Sequence, residues 1–270
     1  EGWPFIYWIS DGFREKFKGK KLKDVFPPKS GLATSNNDRF LRFWWEVDYD
    51  SISTYVTDNK KWKFYSKGGP YNKWYGNLWS VVNWENNAME MRTTGQAVFR
   101  NESFYLKEGI TYSASGSKGA TFRYLPVNCI YDVGGASMFK LDDKADSNYT
   151  IALLNSKISY YIIDCLNPTV NTQVGDIERI PFVTPSNNLE SSISLMSNSN
   201  VGIKKKLCSF KIIESNFTKS PLLALQGAAL KDRVLAYLNY ENAQLTQVLI
   251  NEAIIDELIF EVYELSDADR

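Results

Sequence analysis

The residues of this chain best equipped for chemistry are cations set among aromatics, and the chemistry they suit is binding. In GLATSNNDRFLRFWWEV, from Gly31 to Val47, small and polar residues lead into Arg39 and Arg42, flanked by Phe40, Phe43, Trp44 and Trp45. In KKWKFYSKGGPYNKWYGN, which begins at Lys60, Lys61, Lys63, Lys67 and Lys73 interleave with Trp62, Phe64, Tyr65, Tyr71, Trp74 and Tyr75 around a Gly68-Gly69-Pro70 turn. Ammonium groups suit phosphates, flat rings suit bases or sugars, and Arg, Asn and Gln can take a purine edge with two hydrogen bonds. Composition alone favours a plainer arrangement, with the aromatics in a core on alternate strand positions and the lysines in water. The Gly31 loop likewise reads either as a turn capped by Ser35 to Asp38 or as backbone and short polar groups laid against a ligand.

Bond-making chemistry has little to work with. The 270 residues include no histidine, which removes His-based triads, His general bases and most zinc sites. Cys129, Cys165 and Cys208 lie far apart with no CxxC, as suits a reducing cytosol, so a cytoplasmic location is expected. Carboxylates are scattered without a spaced pair. There is no P-loop, dinucleotide fingerprint or G-x-S-x-G elbow. Asn167-Pro168-Thr169 is only a fragment of the [DN]-P-P-[YF] tetrapeptide that grips a flipped base in base-amino methyltransferases. No apolar run reaches the roughly 18 residues of a membrane span.

The formal net charge is zero, which argues against nucleic-acid binding by bulk electrostatics but not against a local basic face. Residues 1–80 and the run from Lys204 to Arg233 are basic on balance. The last 34 residues are acidic, with Arg270 their sole cation. The chain starts at Glu1 without a methionine, which reads as a piece of something longer.

The elements that must position these groups change character along the chain. Residues 4–18 read as an amphipathic helix, and RFLRFWWEVDY, LWSVVNWE, the end of TYSASGSKGATFRYLP and VNCIYDV read as strands. Trp44, Trp45, Trp84 and Phe104 are expected in the core. Thr150 to Leu166 is spaced for one helix ended by Asn167-Pro168, and IERIPFVTP for a short strand into Pro181. The Ser/Asn-rich residues 186–200 read as a linker or a weakly formed capped helix. Beyond Val201 the pattern is helical, with Leu245, Val248, Leu249, Ile255, Leu258, Ile259, Val262 and Leu265 on one face. The expectation is an α+β chain: a sheet body over 1–185, a linker over 186–205 and a helical tail over 206–270.

Six blocks in order, GLATSNNDRFLRFWWEV, YSKGGPYNKWYGN, VVNWENN, FRNESFYLKEGITYS, FRYLP and LLNSKISYYIIDCLNPTVNTQVGDIERIP, carry a family resemblance. Together they resemble the region after the methyltransferase domain in the BREX phage-defence adenine-specific DNA methyltransferases, the PglX family, with related stretches in type IIG restriction-modification enzymes. The last block is also similar to part of the target-recognition domains of type I specificity subunits. The resemblance covers most of Ile9 to Phe182. It implies a target-recognition domain with a mixed, mostly antiparallel sheet, followed by a helical spacer, that holds double-stranded DNA while an upstream domain methylates adenine at N6. In such families the catalytic motif and the S-adenosylmethionine site lie upstream, so no cofactor is expected in this stretch.

On this reading Thr34, Asn36, Asn37, Arg39 and Arg42 read or approach the groove. Lys67, Lys73 and Lys118 position phosphates, and Tyr71 and Trp74 support the cleft or stack on sugars. Thr111, Tyr112 and Ser113 form a second contact loop, while Asn171 and Gln173 either touch DNA or tie a helix end to a strand. Arg39, Lys67, Lys73 and Lys118 are expected along one electropositive channel. The rival reading is a protein-interaction module whose partners are other defence-complex subunits or a phage-encoded DNA mimic.

Overall fold

Short runs rich in β-branched and aromatic residues pair into two four-stranded sheets in the computed structural model, which describes residues 10–116, 119–141, 145–267 and 269. The strands are Pro28–Lys29 (β1), Leu41–Phe43 (β2), Trp62–Ser66 (β3), Ser80–Asn83 (β4), Gly109–Tyr112 (β5), Phe122–Leu125 (β6), Cys129–Tyr131 (β7) and Ser137–Met138 (β8). The first sheet runs β1-β8-β5-β6 and is antiparallel throughout. The second runs β2-β4-β3-β7, antiparallel except that β7 lies parallel to β3. The helices are Asp11–Lys16 (α1), Asn37–Phe40 (α2), Glu85–Thr93 (α3), Ser147–Asn155 (α4), Lys157–Leu166 (α5), Val174–Glu178 (α6), Asn187–Cys208 (α7), Pro221–Ala224 (α8) and Leu230–Val262 (α9). The class is α+β, with a mostly antiparallel sheet body.

Each sheet has its own core. Ile110, Tyr112, Phe122 and Met138 of the first pack with Tyr149, Leu153, Ile193 and Ile259 from the helices. Tyr65, Val82, Ile130 and Tyr131 of the second pack with Leu32, Phe40, Trp84 and Met91. The outer edge of β6 is closed rather than left as a free edge. The Asn155 side chain both donates to the Phe122 carbonyl (3.0 Å) and accepts from the Phe122 N–H (3.1 Å), while the Trp74 backbone pairs with Phe122 and Tyr124.

Several sequence expectations are corrected here. Residues 150–166 do not make one helix: Ser156, extended at φ −76° and ψ 162°, ends α4, and its hydroxyl accepts from Ser159 N–H to start α5. The expected strand into Pro181 is α6 followed by a single bridge between Lys21 and Pro181. Of the two readings of residues 186–200, a linker or a weakly formed capped helix, the chain adopts the helix: the segment is most of the 22-residue helix α7. Its Ile193, Ser197, Asn200 and Leu207 fall on one helical face and are buried, and small polar side chains there let α9 come close. Asn251 Nδ2 donates to Asn200 Oδ1 across that contact (2.8 Å). On α9 the buried stripe is Val248, Asn251, Ile255, Ile259 and Val262, whereas Leu245 and Leu249 are exposed. Of the expected first helix only α1 is described, capped by Ser10 Oγ accepting from Phe13 N–H; residues 4–9 lie outside the described residues. Among the described residues no helix is long and apolar enough to cross a membrane.

Candidate nucleic-acid interface

At one end of the second sheet β2 and β3 run out and β4 enters, with Phe43 and Tyr65 both paired to Ser80. A cleft of about 610 Å³ opens there. One wall is Asn37, Asp38, Leu41, Arg42, Phe43 and Glu46; the other is Lys67, Gly68 and Gly69; Asn77, Trp79 and Ser80 complete it. The Gly31 loop and the lysine–aromatic stretch therefore meet in space.

Local chemistry fixes the first wall. Asn36 caps α2 by accepting from Arg39 N–H (3.0 Å), and Thr34, itself buried, donates to Asn37 Oδ1 (2.6 Å). The Asn37 amide oxygen takes this bond through one of its two lone pairs. Arg42 Nη1 donates to the carbonyls of Asp38 (2.7 Å) and Leu41 (2.6 Å), which pins the guanidinium beside the cleft. The strand expected through Trp45 stops at Phe43, because Glu46 turns back to accept from Phe43 N–H (2.7 Å) and winds Trp44–Glu46 into a 3₁₀ turn. That turn brings the Trp45 ring flat against Phe43, centroids 4.7 Å apart and planes 7° from parallel, with the two residues 46 % and 44 % exposed. Trp45 is thus a surface ring rather than the core residue expected; Trp84 is buried and Phe104 packs at the edge of the second core.

The second wall is braced from the first sheet. Gly68 and Gly69 have φ of +88° and +121°, and a side chain on Gly69 would meet Asn77. Ser113 Oγ donates to the Gly69 carbonyl (2.9 Å), and Asn77 Nδ2 to the Pro70 carbonyl (2.9 Å). Thr111 Oγ1 is 3.0 Å from Ser66 Oγ at the end of β3. Lys67, exposed at the start of this turn, has no ion-pair partner among the described residues.

The remaining expected contact residues are distributed as follows. Thr111, Tyr112 and Trp74 are buried to within 1 % of full burial, so they brace the interior and cannot touch a ligand directly. Ser113 acts through Gly69. Lys73 donates to the Asn155 carbonyl (3.1 Å) and pairs with Glu252 (3.6 Å), and Trp74 Nε1 donates to the same Glu252 (2.6 Å); together they fasten α9 to the body. Arg39 is outside the cleft lining, its guanidinium on Glu90 (Nε 2.9 Å, Nη2 2.8 Å). Tyr71 is exposed. Asn171 bridges to Ser115, and Gln173 caps α6 with its backbone N–H on Asp176 (2.8 Å), while both residues are exposed. Lys118 lies outside the described residues. Of the described members of the expected four-cation channel only Lys67 lines the cleft, and Arg42 is the cation opposite it. Lys63 is also structural, its Nζ on Ser53 Oγ and the Asp58 carbonyl (2.6 Å each), with burial lowering its pKa. Among the described residues no cluster of three or more His, Cys, Asp or Glu could hold a metal ion.

This geometry has relatives. Over 195 residues, 67 % of the chain, it is 32 % identical to the adenine-specific methyltransferase PglX of Lacticaseibacillus casei strain Zhang. Over 263 residues, 97 % of the chain, it is 30 % identical to the adenine-specific methyltransferase BrxX of Escherichia coli O9:H4 strain HS. The chain is homologous to a stretch of the PglX/BrxX methyltransferases. It spans 16 % and 21 % of the lengths of those two relatives. No family model matches. The fold is similar to that of the type IIL restriction-modification enzyme MmeI, solved in complex with DNA, at a TM-score of 0.53 and 10 % identity, covering 92 % of this chain and 34 % of that one. The likeness to BrxX, over 97 % of the chain, thus takes in the helices after residue 185 as well as the sheet body.

Asn77, Trp79, Asp38 and Glu46 are cleft residues that sequence reasoning missed. A signal existed for one: Glu46 follows Phe43 at capping-box spacing. Asn77 and Trp79 carry no local mark, since only the sheet register brings them beside Arg42 and Lys67.

Proposed function

We propose that this chain is the double-stranded DNA target-recognition region of an adenine-N6 DNA methyltransferase of phage-defence or restriction-modification type, and that it holds the duplex for a catalytic domain elsewhere in the polypeptide. The observation that carries the reading is the cleft that sets Asn37 and Arg42 opposite Lys67, with the Phe43–Trp45 stack at its lip. Its cations suit phosphate or guanine, its amides suit base edges, and the exposed rings give a flat apolar surface for sugars or an opened base step. Homology to the methyltransferases supports the same reading. S-adenosylmethionine belongs to the catalytic domain; methyl transfer needs nothing from the cleft but a duplex held in register.

The test is binding of the chain to duplex, single-stranded DNA and heparin over a range of salt. Duplex should be preferred, and affinity should fall steeply with salt as bound counterions are released. A duplex affinity that stays flat from low to moderate salt sinks the reading. One observation favours docking of protein subunits instead: Leu230, Leu235, Leu238, Leu249 and Ile254 on α9 are exposed. That reading is preferred if neither duplex nor heparin binds while purified defence-complex subunits do.

A further inference from the structure

Glu214 sits in the loop between α7 and α8, far in sequence from the cleft, yet it is only 3 % exposed. One carboxylate oxygen, Oε1, accepts from two residues of the cleft: the backbone N–H of Asn77 (3.3 Å) and the indole Nε1–H of Trp79 (2.9 Å). The neighbouring Ile213 carbonyl accepts from Trp44 Nε1 (3.0 Å), so the same loop reaches the turn that carries the Phe43–Trp45 stack. The segment it holds needs holding. Trp74, Gly76 and Asn77 have φ of +75°, +126° and +64°, a backbone that side-chain-bearing residues adopt only when surroundings enforce it. Asn77 in turn braces the Gly68-Gly69-Pro70 turn below Lys67.

Arg123 of β6 is 1 % exposed, and its Nε and Nη2 have no hydrogen-bond partner among the described residues; neither has Glu214 Oε2. Burial brings the Arg123 pKa down to about 10, and Glu214 acts against that fall. Arg123 and Glu214 make no hydrogen bond to one another among the described residues, and Glu214 acts on Arg123 only as a charge at longer range. Neither lines the cleft.

We infer that Glu214 is a positioning residue for target recognition: by fixing Asn77 and Trp79 it makes base discrimination depend on a loop of the helical half that does not line the cleft. This rests on the cleft being the duplex-recognition site. Removing the carboxylate leaves two donors without an acceptor, which relaxes the floor of the cleft without removing a phosphate contact.

The experiment is selection from a random duplex pool with the full methyltransferase, followed by affinity for the enriched and a scrambled duplex over a salt series. Wild type should enrich a defined motif. Glu214→Ala should lower the ratio of the two affinities by about tenfold or more while leaving the salt slope unchanged, because no cation is lost. Glu214→Gln, which keeps an acceptor oxygen, should restore most of the ratio. Trp79→Phe, which removes the indole donor together with part of the ring and leaves Glu214 in place, should lower the ratio in the same direction and serves if Glu214→Ala does not fold. An unchanged motif and ratio in Trp79→Phe and in whichever Glu214 variants fold overturns the inference while the recognition reading stands. Failure of wild type to enrich any motif overturns the recognition reading itself, and this inference with it.

Discussion

Two lysines of the lysine–aromatic stretch from Lys60 to Asn77, Lys67 and Lys73, sit among similar residues and meet opposite fates. At Lys67 the chain turns through two glycines, the ammonium stays exposed, and the residue faces a cleft shared with Arg42. At Lys73 and Trp74, a few residues on, ammonium and indole are both claimed by Glu252, which lies 178 residues beyond Trp74 in sequence. What separates a binding cation from a structural one is therefore a carboxylate delivered by a remote helix. Texture alone could not have told them apart, since both lysines sit between turn residues and rings.

The sharpest way to break this comparison is at Trp74. Its ring is buried in the core of the first sheet, so Trp74→Ala should destabilise the fold by about 3–5 kcal/mol, read as a drop in the urea midpoint. Lys67→Ala should leave that midpoint almost where it is, within about 0.5 kcal/mol. An unshifted midpoint for the tryptophan variant would mean the ring is not the anchor described.

Next in size are the cleft cations. Arg42→Ala should weaken binding to the preferred duplex by about 1–3 kcal/mol if the guanidinium meets a base edge, and should do so unequally across sequences. Lys67→Ala should weaken all duplexes alike and flatten the log–log salt dependence by about 0.9, the signature of one lost phosphate contact. Uniform loss from Arg42→Ala would demote that residue from reader to phosphate clamp, and an unchanged salt slope in the lysine variant would remove Lys67 from the interface.

How much of this was legible follows from which forces are local. The strands around Val81, Phe122 and Ile130, the turn at Gly68-Gly69, and the helix end at Asn167 are written in nearby residues, and the sequence pattern predicts them, whereas the expected contact loop at Thr111–Tyr112 is strand β5. Where it fails, a tertiary partner decides. The Ser/Asn-rich run of α7 is a weak helix by propensity, yet it is held between α4 and α9 because its small side chains allow close packing. Trp45 sits at a strand-alternation position that a core would fill, but the Glu46 turn carries it to the surface. Arg39 and Arg42 look equivalent in sequence; only the position of Glu90, on the helix that follows β4, assigns one to an ion pair and leaves the other at the cleft.

The smallest effects are expected from the paired cations, and they test the comparison most finely. The Lys73–Glu252 pair is long and partly solvated, so Lys73→Met should cost no more than about 1 kcal/mol of stability and leave duplex affinity and salt slope at wild-type values. Arg39→Ala should behave likewise, since its pair with Glu90 is half exposed. Glu90→Gln makes the more informative partner: it weakens the hold on the Arg39 guanidinium without removing the cation. If it increases duplex affinity in a way that Arg39→Ala abolishes, Arg39 is a phosphate ligand held in reserve, and the line drawn here between free and claimed cations runs through the Gly31 loop rather than between Lys67 and Lys73 of the lysine stretch.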